Sequence, residues 1–384
     1  MTHATALPLK VNDLLAHSLD RNMLDYWLAK LNPRWSVFKA QATVVDKQQA
    51  AADSISLLIK PNRHLHWPKA GQHLMVGAEV NGRCVYRSYS CSDVTGRPDL
   101  LEITVKQVNG GKLSHWLCQH ARVGDVLQLQ QPFGELVWPS TSQSVILLAA
   151  GSGITPLISL LRQHVQQSHH QHTNNQAIEL HYWVSRAEQA CFTEELNALT
   201  TILPNFKFYL YITQQTTHES SQPLMHTPSN VRYGRIDASH FASLEDLNHS
   251  AVVACGSADF VANAKQILHP ALQPQVASWQ AESFSPPQLS VLNATNDQQQ
   301  TVQIFLQKQQ RSIGVPVGQS ILMALENEGI AHPSGCRMGL CNTCACGKIS
   351  GTTQHLISGD QQHDADSALR ICVNTAQTDL VLDI

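Results

Sequence analysis

Charge is scarce in this chain. Only 14% of its 384 residues are Asp, Glu, Lys or Arg, and 29 acidic residues slightly outnumber 26 basic ones. A formal charge of -3 supplies no basic field of the kind that nucleic-acid phosphates require, which excludes polynucleotide partners. Long hydrophobic runs are missing too. The longest purely apolar stretch, residues 145–150, is far too short to span a bilayer as a helix. The opening MTHATALPLKV lacks the basic start and continuous apolar core of a secretion signal, so the cytoplasm is the expected compartment. A reducing compartment disfavours structural disulfides, which leaves the ten cysteines as core thiols, metal ligands or redox groups.

Four of those cysteines crowd into SGCRMGLCNTCACG, residues 334–347. A disulfide knot, a zinc clip and a cradle for an iron-sulfur cluster compete for this loop. Cys336, Cys341 and Cys344 are separated by four and then two residues, and Cys372 follows at a distance in LRICVN. That is the ligand order of a plant-type 2Fe-2S site, whereas zinc sites usually present two matched Cys-x2-Cys pairs. Gly335, Gly339 and Gly347 relax the turn such a loop needs. Cys346 falls outside the set and is expected to be a packing thiol.

Along the chain, apolar residues recur at helical spacing from 11 to 31: Val11, Leu14, Leu15, Leu19, Met23, Trp27 and Leu31. This amphipathic stripe is expected to pack on its own domain, with docking to a membrane or partner as the alternative. Short Val-, Ile- and Thr-rich runs between turns follow to about residue 138 and suggest a small antiparallel barrel. After Pro139, strands alternate with helices, as in VILLAAGSGITPLISLLRQ, which implies a parallel, doubly wound sheet. The histidine-rich segment 164–176 reads as a solvated loop. SPPQLSVLNATNDQQQ reads as an interdomain linker, and TVQIFLQ begins a further domain.

Residues 301–384, with SGCRMGLCNTC, resemble a ferredoxin domain. RSYS at 87–90, GGKLSHWL from Gly110 and GSGITP from Gly151 resemble, in that order, the ferredoxin-NADP reductase family. The fold implied is multidomain: a helical extension (1–36), an antiparallel β-barrel flavin domain (37–139), an α/β nucleotide domain with a parallel sheet (140–285), a linker (286–300) and an α+β, β-grasp ferredoxin domain (301–384). The resemblance implies that Arg87 holds a cofactor phosphate, that Tyr89 lies against the flavin, and that Ser88 and Ser90 belong to the same tetrapeptide, Ser90 bonding near the reactive ring. It implies that Gly111, Lys112, Leu113 and Ser114 wrap the pyrophosphate at a helix start. Gly151, Gly153, Thr155 and Pro156 would admit nicotinamide and pyrophosphate, the proline starting the helix. Ser185 and Arg186 would meet the adenosine ribose and favour NADPH over NADH. Cys255 and Gly256 would face the nicotinamide, and Glu282 and Phe284 would stand beside the flavin. Cys336, Cys341, Cys344 and Cys372 carry over as the cluster ligands.

The implied cofactors are FAD, with FMN relatives known, and a 2Fe-2S cluster. The implied activity is an NAD(P)H:acceptor oxidoreductase, a flavin converting a nicotinamide's electron pair into the single electrons a cluster accepts. NPRWS and RSYSCS look most similar to reductase partners of bacterial fatty-acyl desaturases. Reductases of ring hydroxylases, CoA-ester epoxidases and hybrid-cluster proteins share the same parts, so the expected partner is a terminal oxygenase or desaturase, with peripheral membrane contact open. A zinc- or cluster-binding sensor on a flavoprotein scaffold is the reading of a different class.

Overall fold

In the computed structural model the described residues are 21–32, 34–171, 176–214, 230–241, 249–268, 278–284, 300–337, 339, 341–356 and 359–384. Residues 11–20 of the amphipathic stripe and 285–299 of the expected linker lie outside them. After helix α1 (Arg21–Leu31), β1 (Gln41–Ala51), β2 (Ser54–Pro61), β3 (His73–Val80), β4 (Arg83–Val94), β5 (Arg97–Lys106) and β6 (Val126–Leu129) close an antiparallel barrel in the order β1-β2-β5-β4-β3-β6. Every second side chain of a strand points inward. Leu57 therefore faces Ile103 across β2 and β5, and Ile59 faces Leu101, all four fully buried. Helix α2 (Lys112–Gln119) adds Leu113 and Leu117 to this core.

Arg87–Ser90 lies inside a strand, β4. RCVYRSYSCSDV runs as a single strand, exposed at its start and buried from Ser90 to Ser92. The mixed polar sequence hides it because only its second half contributes fully buried residues.

The next unit is a parallel sheet, with β7 (Ser144–Ala150), β8 (Ala177–Val184), β9 (Phe206–Ile212), β10 (Val231–Tyr233), β11 (Ser250–Gly256) and β12 (Ser278–Ser283) in the order β10-β9-β8-β7-β11-β12. Helices α3 (Ile154–Gln171), α4 (Thr193–Ile202) and α5 (Ala258–Leu268) follow β7, β8 and β11. The chain steps outward from β7 to β10, then returns to the other side of β7 as β11. Such a reversal opens a crevice at the carboxyl ends of the two central strands, where doubly wound sheets bind ligands. Arg162 of α3 ties this unit to the barrel: it donates to Glu102 (2.6 Å) and Ser92 (2.8 Å) of the barrel and to Glu195 of α4 (2.7 Å). Residues 164–171, read as loop, continue α3, and His164 is buried with its ring 4.1 Å from that of Trp138. Burial against an aromatic overrides the polar look of this segment.

The last unit combines a sheet, β14-β13-β20-β15-β18, with a smaller one, β17-β16-β19. Its strands are β13 (Thr301–Leu306), β14 (Arg311–Pro316), β15 (Ala345–Ser350), β16 (Thr353–His355), β17 (Gln361–Gln362), β18 (Asp366–Arg370), β19 (Asn374–Ala376) and β20 (Leu380–Asp383). Helix α6 (Ile321–Asn327) starts at Ser320, whose hydroxyl accepts from the Met323 amide at 3.2 Å. Its Ile321 and Leu325 join Ile304, Leu306 and Leu382 in one core.

Helix α1 departs from expectation. Met23, Trp27 and Leu31 are 56%, 60% and 76% exposed, so among the described residues the apolar stripe faces away from the protein. The side turned inward is held by Asp25, which accepts from the Val37 amide (2.7 Å) and the Ser36 hydroxyl (3.0 Å).

Candidate functional site

A cavity of about 470 Å³ lies where barrel, parallel sheet and cysteine loop meet. It is lined by Arg87–Ser90 of β4, residues 108–114 before and at the start of α2, Thr155 of α3, Phe284 after β12, and Gly335, Cys336 and Arg337. Of the residues singled out from sequence, it gathers Arg87, Ser88, Tyr89, Ser90, Gly111, Lys112, Leu113, Ser114, Thr155, Phe284 and Cys336. Gly151, Gly153, Pro156, Ser185, Arg186, Cys255, Gly256 and the other three loop cysteines do not line it.

The lining fits a flavin nucleotide. Ser88 Oγ is buried without a hydrogen-bond partner in the protein, an arrangement that costs free energy unless a ligand satisfies it. Among the described residues neither Arg87 nor Lys112 is in an ion pair, and α2 begins at Gly111 with no side-chain cap on its first amides. Free cations and uncapped helix amides together suit phosphate oxygens. A Cβ at Gly111 would lie 2.5 Å from Ser114 Oγ and 3.0 Å from the Val108 carbonyl oxygen, so a side chain here would displace the Ser114 hydroxyl. The Ser114 hydroxyl itself accepts from the Val108 amide (3.2 Å), closing the loop. Burial raises the Tyr89 hydroxyl well above the usual phenol range, keeping it neutral.

Behind this wall runs a buried polar chain that sequence reasoning did not identify as a unit. Thr155 Oγ1 donates to Ser90 Oγ (3.1 Å), Ser90 Oγ shares a hydrogen bond with His73 Nδ1 (3.1 Å), and His73 Nε2 meets the Glu282 carboxylate. His73 is 1% exposed and packs edge-on to Phe284 at 5.6 Å. The barrel thus contributes Ser90 and His73, and α3 and β12 one residue each. His73 was missed because nothing local marks it; its partner lies 209 residues away. The one available signal was a histidine opening an otherwise apolar strand, HLMVGA.

At the crevice of the parallel sheet, Gly151–Gly153 form a 3-10 turn with Gly151 at φ +55°. A Cβ on Gly153 would stand 2.0 Å from the Cys255 carbonyl oxygen, so this turn touches the end of β11 only because glycine is there. Helix α3 starts at Ile154, two residues earlier than the expected Pro156; proline sits in the first turn, where its missing N–H has no intrahelical acceptor to lose. Cys255 is fully buried, and burial, reinforced by the nearby Glu282 carboxylate, pushes its thiol well above the ordinary range. Ser185 and Arg186 follow β8, as expected, but the Arg186 guanidinium pairs with Glu188 at 3.0 Å. Both partners are more than half exposed, and such a pair is worth about 1 kcal/mol at most, so a phosphate can displace it.

The cysteine loop arranges its thiols as two pairs. The Cys336 amide donates to Cys341 Sγ (3.2 Å), the Cys341 amide to Cys336 Sγ (3.3 Å), and the Thr343 hydroxyl to Cys341 Sγ (3.1 Å). The hydrogen bond from Cys336 and that from Thr343 hold the Cys341 thiol down at about 5. In the second pair Cys372 donates to Cys344, which is held at about 7 while Cys372 is raised. Among the described residues no three Cys, His, Asp or Glu side chains surround a single point, as one zinc ion would require. Two thiol pairs suit a dinuclear cluster, in which each iron takes two thiolates. A Cβ on Gly335 would lie 2.7 Å from Cys341 Sγ, and Arg370 Nη1 donates to the Gly339 carbonyl at 2.5 Å. Cys346 is buried outside the pairs, its thiol pushed up to about 12 by burial.

Three family models match the chain in order: an oxidoreductase FAD-binding domain at residues 41–138, a ferric reductase NAD binding domain at 142–269, and a 2Fe-2S iron-sulfur cluster binding domain at 304–377. An NADPH oxidoreductase of Mycobacterium tuberculosis is 27% identical over 94% of this chain and 88% of its own. The glycine betaine monooxygenase reductase subunit of Chromohalobacter salexigens is 24% identical over 82% of this chain and 87% of its own. The solved structure of phthalate dioxygenase reductase, 22% identical, superposes with a TM-score of 0.54 over 90% of this chain and 97% of that one.

Proposed function

Because this chain belongs to the ferredoxin reductase family that carries a C-terminal 2Fe-2S domain, we propose that it takes electrons from NADPH and passes them, through FAD and the cluster, to a terminal oxygenase component. The observation that carries this reading is the shared cavity: Gly335, Cys336 and Arg337 of the cysteine loop line the same space as Arg87–Ser90. When bound, flavin accepts an electron pair as hydride and releases electrons singly, and the cluster takes one at a time.

Side chains here position rather than make bonds. Arg87, Lys112 and the amides at the start of α2 hold the cofactor's phosphates, and Ser88 supplies its unpaired hydroxyl. Tyr89 covers a ring face. Ser90 is held at the cavity wall by Thr155 on one side and by His73, itself fixed by Glu282, on the other, where it would meet the flavin's reactive ring. The Gly151–Gly153 turn packs directly against the end of β11 at the crevice, and Arg186 would exchange Glu188 for the 2'-phosphate. Cys336 and Cys341, with Cys344 and Cys372, would hold the two irons of the cluster. Arg337 anchors the loop's inner edge through a two-pronged pair with Glu326, at 2.6 and 3.0 Å.

Within the oxygenase class, the strings NPRWS and RSYSCS favour a fatty-acyl desaturase as the acceptor. A pull-down from the native cell under reducing conditions tests this: a desaturase should co-purify and turn over with NADPH only when this protein is present. Recovery of a ring hydroxylase or CoA-ester epoxidase that turns over in its place would reassign the acceptor. A zinc-filled sensor would be told apart by colour, showing no cluster absorption and no bleaching with NADPH.

A further inference from the structure

The outward apolar face of helix α1 points to a lipid surface. In an ordinary amphipathic helix of a soluble protein the apolar stripe covers the core and polar residues face water. Here the order is inverted. Tyr26, Met23, Trp27, Leu31 and Leu24 occupy one arc of the helix and are all exposed, whereas the opposite side presents buried Asp25 to the segment leading into β1. Ser36, Val37 and Lys39 grip that carboxylate, Lys39 through an ion pair of 3.6 Å, so the orientation is fixed by three contacts to one acid. The next exposed aromatics, Trp35 and Phe38, belong to this gripping segment.

Two features select the occupant. Residues 21–39 hold four basic residues, Arg21, Lys30, Arg34 and Lys39, and a single acid, the buried Asp25, within a chain whose total is -3. Lys30 and Lys39 lie over the rings of Tyr26 and Phe38, at 5.4 and 5.5 Å. Tryptophan and tyrosine beside lysine and arginine is the composition that settles at the boundary of headgroups and acyl chains, and local positive charge on an otherwise acidic protein complements anionic lipid. We propose that residues 21–39 form a membrane-surface anchor for anionic bilayers, the helix lying in the interface while the barrel and the redox site stay in water.

The test uses the full-length holoprotein and sedimentation with vesicles of phosphatidylcholine alone or mixed with phosphatidylglycerol. Binding is expected to the phosphatidylglycerol vesicles, weakened by salt, with a blue shift of tryptophan emission. Reversing two charges in Lys30→Glu/Arg34→Glu should weaken it by about thirtyfold or more, and Trp27→Glu/Leu31→Glu should abolish it. Both variants should reduce a soluble acceptor with NADPH at the parent rate, which verifies folding and separates this inference from the electron-transfer reading. Absence of vesicle binding by the parent protein overturns the proposal, as does equal binding by parent and variants. A concentration-dependent dimer that Trp27→Glu/Leu31→Glu dissolves, without vesicle binding, would assign the face to a second copy instead.

Discussion

Cys341 Sγ accepts from the Cys336 amide and the Thr343 hydroxyl, and among the proposed cluster ligands its loss is an informative one. Cys341→Ser should strip the iron from the protein while pyridine nucleotide still reduces the flavin; iron analysis and anaerobic absorbance check it, and unchanged iron would refute the assignment. Arg186→Ala should weaken NADPH use by roughly tenfold and spare NADH, since one charge-assisted contact is removed. Equal losses for both nucleotides would remove the 2'-phosphate role. For the buried chain, His73→Phe leaves Ser90 and the Glu282 carboxylate without their common partner. Hydride transfer should slow about tenfold through misplacement of Ser90, and the protein should lose about 3 kcal/mol through the uncompensated buried carboxylate; stopped-flow and thermal unfolding measure the two separately. Residue types and spacing singled out the cysteine set and the residues Arg87–Ser90 and 111–114, which the structure gathers around one cavity. They could not reveal His73, whose hydrogen bond to Glu282 of β12 joins the barrel to the parallel sheet across 209 residues, nor the pairing of Arg186 with Glu188.

Among the elements, the barrel and the parallel sheet were legible because buried strands impose patterns. In SISLLIK and LLEITVK the apolar residues Ile55, Leu57, Ile59, Leu101, Ile103 and Val105 fill the barrel core, and the apolar run VILLAA follows from burial on both faces of a central strand. What stayed hidden was direction. A stripe of Met23, Trp27 and Leu31 announces an amphipathic helix without saying which side is covered, and an acid at Asp25 decides it against the usual rule. The histidine-rich end of α3 misled in the same way, since His164 is buried by Trp138 from another segment. The most demanding local junction is the turn from β7 into α3. Gly153→Ala would drive a methyl into the Cys255 carbonyl at 2.0 Å, and because backbone must move, a loss of about 3 kcal/mol is expected. Denaturant unfolding should show it together with impaired nucleotide binding, whereas flavin retention by the barrel should persist.

For the whole molecule, electron flow depends on three units holding one geometry around one cavity. Arg162 is the clearest fastener between two of them, bridging Glu102 and Ser92 of the barrel to Glu195 of the nucleotide unit at 15% side-chain exposure. Burial acts against its charge, but hydrogen bonds and attraction from Glu195 and Glu102 outweigh that and raise its already high pKa, so the guanidinium stays charged. The third unit reaches the cavity through Gly335, Cys336 and Arg337, placing a cluster ligand at the wall. The most direct measurement is an anaerobic titration of the purified protein with NADPH, followed by absorbance and by electron paramagnetic resonance at low temperature. The account predicts that flavin absorption bleaches and that a paramagnetic signal of a reduced 2Fe-2S cluster grows with it, the signal being absent from Cys341→Ser. Full reduction of the flavin beside a cluster that stays oxidised, or flavin without iron and acid-labile sulfide, would contradict it.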